Sequence, residues 1–135
     1  MKQSSGIIVK CNNRILICKR STENSEGGKW AIPMGGIEQD EKPEDAAYRE
    51  FHEEMGIEIQ GGLQSLGYIN RYNKQGGLKS ILHLFMYETN EELIPNLEIA
   101  IDGDEHTECG YMTKEEIEGL YMSDSIKDAV LKKLQ

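Results

Sequence analysis

Glu50, Glu53 and Glu54 fall within the stretch AAYREFHEEM at spacings of three and four residues, which on a helix sets neighbouring carboxylates side by side. Like charges so placed oppose one another by roughly 0.2–0.5 kcal/mol per pair in an isolated helix. Only Arg49, four residues before Glu53, can answer them locally, and Glu58 lengthens the acidic column. A hard divalent cation would relieve the repulsion, because such ions take oxygen ligands from carboxylates, water and phosphate groups. The plainer alternative is a solvated face on an acidic protein. Two features weigh against it. Ala47, Tyr48, Phe51 and Met55 form an apolar stripe of about 100° directly beside the acids, and the Gly35-Gly36 pair lies shortly before them.

Those residues need a frame. Residues 4–10 and 14–20 read as two strands joined at Asn12-Asn13, a turn dipeptide that tolerates positive φ. A polar loop over 21–29 leads to a short extended piece, Trp30 to Pro33, then to the glycine pair and a second loop. The helix spans 43–55, with Pro43 at its first position, Glu44 and Asp45 on the positive end of the dipole, and Gly56 as its stop. Strands are expected at 63–72 and 79–89 around a Gly76-Gly77 turn, and at 107–112. Helices are expected at 114–120 and 123–134, the second with Ile126, Ala129, Val130 and Leu134 on one side. Mixed in this order, the elements give an α/β (α+β) sandwich.

The chain has 135 residues, one domain's worth, and no repeat, linker or low-complexity tract, so residues 1–135 are taken as a single domain. Its longest apolar runs, such as Ile7 to Val9, are far too short to span a bilayer. The N-terminal MKQSSGIIVK lacks the apolar core of a secretory signal, so the expected location is cytoplasmic. Cys11, Cys18 and Cys109 are scattered, without CxxC spacing, and are expected to be reduced thiols. With a net charge of −9, the chain is a poor candidate for stable nucleic-acid binding. An enzyme for an anionic substrate can still be this acidic if cations sit between its acids and the phosphates. Solubility accounts for most of the C-terminal acids, but less well for the cluster at 41–60.

From Gly35 to Ile57 the sequence GGIEQDEKPEDAAYREFHEEMGI resembles the Nudix box, G-x5-E-x7-R-E-U-x-E-E-x-G-U, where U is a bulky apolar residue. Gly35, Glu41, Arg49, Glu50, Phe51, Glu53, Glu54, Gly56 and Ile57 occupy its defined positions; Phe51 stands where an aliphatic residue is usual. The flanking GGKWAIPMGGIE is similar to the family's lead-in, with Met34 where glycine is common. EHTECGYMTKEEI is similar to its late acidic-then-aromatic segment, with Tyr111 where tryptophan is usual. The resemblance implies the Nudix fold, a mixed central sheet between helices with the box as loop–helix–loop. It also implies a magnesium-dependent hydrolase of diphosphate linkages in nucleotides.

Carried over residue by residue, the resemblance makes Glu53 and Glu54 catalytic and metal-binding, with Mg2+ or Mn2+ as the ion. Glu50 would complete the metal cluster or orient water, and Gly35 would offer its carbonyl. Glu41 and Arg49 are expected to pair structurally, tying loop to helix. The base lies in the box or on a later loop, where Glu105 is preferred over Glu108; His106 between them is assigned nothing. Arg20, with Lys19, could reach a phosphate, and Trp30 and Tyr72 could stack on a base. The proline expected near position 73 in ADP-ribose-type members is replaced by Asn73. Tyr72 lies only near the tyrosine position of diadenosine-polyphosphate-type members. A (deoxy)nucleoside triphosphate or similar small nucleotide is thus the expected substrate, for a monomer or homodimer without membrane attachment. A dinucleoside polyphosphate or nucleotide sugar is the alternative substrate. The rival classes are a non-catalytic nucleotide sensor, an RNA 5′-end pyrophosphohydrolase and an allylic diphosphate isomerase.

Overall fold

A computed structural model describes residues 2–21, 28–100 and 106–135. β1 (Lys2–Cys11) and β2 (Arg14–Arg20) form an antiparallel hairpin. Asn12 and Asn13 turn it at φ 48° and 65°, the left-handed pair that matches strand twist in a two-residue turn. The runs GIIV and ILI supply β-branched and aliphatic residues that a sheet buried on both sides favours. β3 (Trp30–Ala31) pairs with β2, and β4 (Met34–Gly36) pairs with β1, Ser5 opposite Gly35. The glycine pair expected in a loop is therefore part of a short strand. Its backbone meets the β1 ladder even though glycine has no side-chain preference for one.

α1 (Pro43–Met55) begins at proline and stops at Gly56, whose φ of 71° and N–H bond to the His52 carbonyl form a left-handed cap. A Cβ at Gly56 would also run into the Asn96 carbonyl. β5 (Gln64–Tyr72) and β6 (Leu78–Thr89) are antiparallel, while β6 runs parallel to β1 along its length. β7 (His106–Met112) pairs with β2. α2 (Lys114–Glu118) carries a Thr113–Glu116 capping box, and α3 (Asp124–Leu131) ends earlier than its apolar spacing suggested.

The sheet runs β3-β2-β1-β6-β5, with β4 and β7 joined at its flanks. Alternation along β1 and β2 decides which residue faces which helix. Ile8, Ile15 and Ile17 meet Ile117, Met122, Ile126 and Val130 on one side. Ile7, Val9, Leu16 and Cys18 meet Ala47, Phe51 and Met55 of α1 on the other. This is the expected mixed sheet between helices. Among the described residues no helix is long and apolar enough to cross a membrane.

One expectation fails. Cys18 and Cys109 lie opposite each other in β2 and β7 and form a disulfide, not two separate thiols. Strand register, invisible in their spacing of 91 residues, brings them together. Cys11 is buried and free.

Candidate active site

α1 presents its acids to β4 because its apolar stripe is committed to the sheet. Gly35 passes so close to Glu50 that a Cβ would collide with the Glu50 carboxylate. This close approach explains why a glycine stands there. Arg49 lies at the centre of the acids. Its Nε and Nη2 donate to the two oxygens of Glu41 at 2.8 and 2.9 Å, a bidentate pair. Nη1 donates to Glu50 Oε1 at 2.9 Å and to Glu53 Oε2 at 3.2 Å. Nη2 also donates to the Gly36 carbonyl at 2.9 Å. Glu41 in turn accepts from the Glu38 N–H at 3.0 Å, closing the loop before the helix. The Arg49 hydrogen bonds, with help from that N–H, hold the Glu41 carboxyl down at about 2. Reciprocally, Glu41 first and Glu50 next raise Arg49 above its ordinary value.

Glu54 is set apart from this group. It is 1% exposed, and its Oε1 accepts from the Met34 N–H at 3.3 Å and faces His106 Nε2 at 3.0 Å. His106 is itself buried at the start of β7, opposite Arg20 of β2. Burial, and then the positive charge of Arg20, lower its pKa to about 4, with the Lys19 backbone pulling the other way. The sequence reading assigned His106 nothing, because loop histidines are usually solvated. Its one signal is that it directly precedes the strand expected at 107–112, which in the structure begins one residue earlier.

Arg20 and Trp30 line one small pocket with Lys29, Met34, Arg71, Ser123 and Ile126. Lys29, Arg71 and Ser123 also border a neighbouring cleft of about 960 Å³, to which Lys74, Lys79, Lys127 and the exposed Tyr72 belong. Tyr72 thus lies away from Trp30, on the outer cleft. Glu108 is an exposed residue of β7 opposite Lys19, and Glu105 lies outside the described residues. Among the described residues no three His, Cys, Asp or Glu side chains are grouped as a metal-ligand set. The box acids instead gather on Arg49 and His106. Four box carboxylates against one guanidinium still leave this region net negative and rich in oxygen ligands, the chemistry that suits a hard cation.

The model of the NUDIX domain matches residues 1–134. The chain belongs to the NUDIX family. An 8-oxo-dGTP diphosphatase from Proteus vulgaris is 38% identical over 56 residues, 42% of this chain and 50% of that protein. An RNA pyrophosphohydrolase from Bartonella tribocorum is 66% identical over 29 residues, 22% of this chain and 17% of that protein. The chain thus spans half or less of the length of these curated relatives. The fold of this Nudix domain also matches the MutT NUDIX hydrolase of Burkholderia pseudomallei. There the TM-score is 0.79 at 20% identity, covering 99% of this chain and 98% of the other.

Proposed function

We propose that this Nudix domain is a pyrophosphohydrolase that cuts the diphosphate linkage of a small nucleotide, with (deoxy)nucleoside triphosphates as its substrate class. One observation carries the proposal: Glu41, Glu50 and Glu53 share Arg49 while Glu54 lies buried on the same helix. The β4 residue Met34 connects that cluster to the pocket containing Arg20 and Trp30. Glu50, Glu53 and Glu54, with the Gly35 carbonyl and Glu105, are the residues that would hold Mg2+ or Mn2+. The Gly35 cradle and the surplus of carboxylates fit such an ion. When bound, the ion would neutralise diphosphate oxygens and lower the pKa of a water.

The chain's own residues supply the rest. Arg20, Lys29 and Arg71 offer positive charge to phosphate oxygens along the pocket. Trp30 gives a flat wall for a base, and Tyr72 a second one on the outer cleft. Glu53, Glu54 or Glu105 takes the proton of the attacking water. Arg49 keeps Glu50 and Glu53 pointing to one side.

A second reading is favoured by the outer cleft: among the described residues that border it, Lys29, Arg71, Lys74, Lys79 and Lys127 are basic and Asp124 is acidic. Such a cleft could take a longer anion, such as the 5′ end of RNA, although the net charge of −9 opposes a long nucleic-acid track. Turnover decides. The panel is nucleoside triphosphates, nucleotide sugars, dinucleoside polyphosphates and 5′-triphosphorylated RNA, each with Mg2+ or EDTA, for wild type, Glu53→Gln and Glu54→Gln. Mg2+-dependent hydrolysis of a small nucleotide is expected, falling on the order of 100-fold or more in each variant. Undiminished rates in EDTA, or in both variants, would refute it.

A further inference from the structure

A carboxylate removed from water needs hydrogen-bond donors, or it is forced to take up a proton. Glu54 is such a group, and its Oε1 lies within hydrogen-bonding reach of a backbone N–H and of an imidazole nitrogen. The Met34 N–H lies at 3.3 Å, long for an N–H···O bond, whereas His106 Nε2 lies at 3.0 Å. Backbone register fixes His106 in place. It opens β7 opposite Arg20, beside an irregularity in the ladder between Lys19 and Arg20, and its side chain is 0% exposed.

We propose that His106 is a positioning residue for the reaction: its Nε2–H holds the buried Glu54 carboxylate in the orientation in which it serves the proposed cation site. The inference rests on the Nudix hydrolase reading given above. The residue type matters chemically. A lysine or arginine here would cancel the Glu54 charge and compete with a cation, as Arg49 does for Glu50 and Glu53. An imidazole held at 3.0 Å offers the Glu54 carboxylate a single, directed hydrogen bond from a ring that strand β7 keeps in place. Outer partners of this kind commonly affect metal affinity or activity by 10–100-fold when removed.

The test compares the full chain with His106→Leu, His106→Gln and His106→Asn. Mn2+ alone is the probe, its free ion followed by electron paramagnetic resonance; kcat and KM are measured separately and circular dichroism reports the fold. A glutamine amide can reach the position of the imidazole Nε2, whereas an asparagine amide stops near Nδ1. His106→Leu and His106→Asn should weaken Mn2+ binding and lower kcat by roughly 10–100-fold, with nucleotide KM little changed. His106→Gln should recover most of both. If His106→Leu fails to fold, the glutamine–asparagine pair decides. Equal Mn2+ affinity and kcat in that pair, or wild-type behaviour in the leucine variant, overturns the role of His106 and leaves the hydrolase reading intact. A wild-type chain that binds no Mn2+ and hydrolyses no nucleotide overturns both.

Discussion

Arg49 meets more of the box than any one carboxylate does, and its side chain explains why Glu41, eight residues earlier, belongs with the helix. The pair has a pH signature. Glu41 titrates at about 2 when folded, below its ordinary 4.5, so the unfolded chain binds the extra proton between those values. Its stabilisation is therefore complete above pH 4.5 and is lost as the pH falls towards 2. Glu41→Gln should cost about 1 kcal/mol at neutral pH after solvent screening. Urea unfolding of the two proteins should show this gap closing below pH 4.5. Much of this residue scale was legible beforehand, because spacings of one, three and four residues on one helix need no tertiary information. Glu54 and His106 were not. Their meeting joins α1 to β7, and neither flanking sequence reports that both ends are dry.

At the scale of elements, α1 has two jobs that its 13 residues divide by face. Phe51 and Met55 are buried against β1 and β2, while Arg49, Glu50 and Glu53 face β4 and the loop that follows it. Phe51 is among the largest fully buried side chains. Phe51→Ala should cost about 3–5 kcal/mol, chiefly through the cavity left behind, and thermal melting would measure it. Because the stripe and the acids share a helix, the same variant should lose activity at temperatures where it remains folded. The helix was legible from its apolar period, its proline and its glycine stop. β4 was not, since Met34-Gly35-Gly36 carries no strand preference and is held by its partner β1. The Cys18–Cys109 bridge was missed for a similar reason: the register of β2 with β7 is a property of the sheet.

Over the whole molecule, charge is sorted. The chain is strongly acidic overall, yet Lys29, Arg71, Lys74, Lys79 and Lys127 collect around one cleft. Linear counting could not show this, because the residue before β3, the β5–β6 hairpin and α3 supply them from distant parts of the sequence. Arg71→Glu should raise the KM for a nucleoside triphosphate about tenfold, equivalent to about 1.4 kcal/mol, and leave kcat nearly unchanged, the pattern of lost uniform binding. Steady-state kinetics at two ionic strengths would check it, with the difference narrowing in high salt. The sheet order also bears on how the molecule is made. β1 stands mid-sheet, yet its parallel neighbour β6 comes after β2, α1 and β5. During synthesis the first hairpin must therefore wait, with one greasy border open, until the ribosome has delivered residues 80–89. That interval is when a growing chain could associate with another copy of itself.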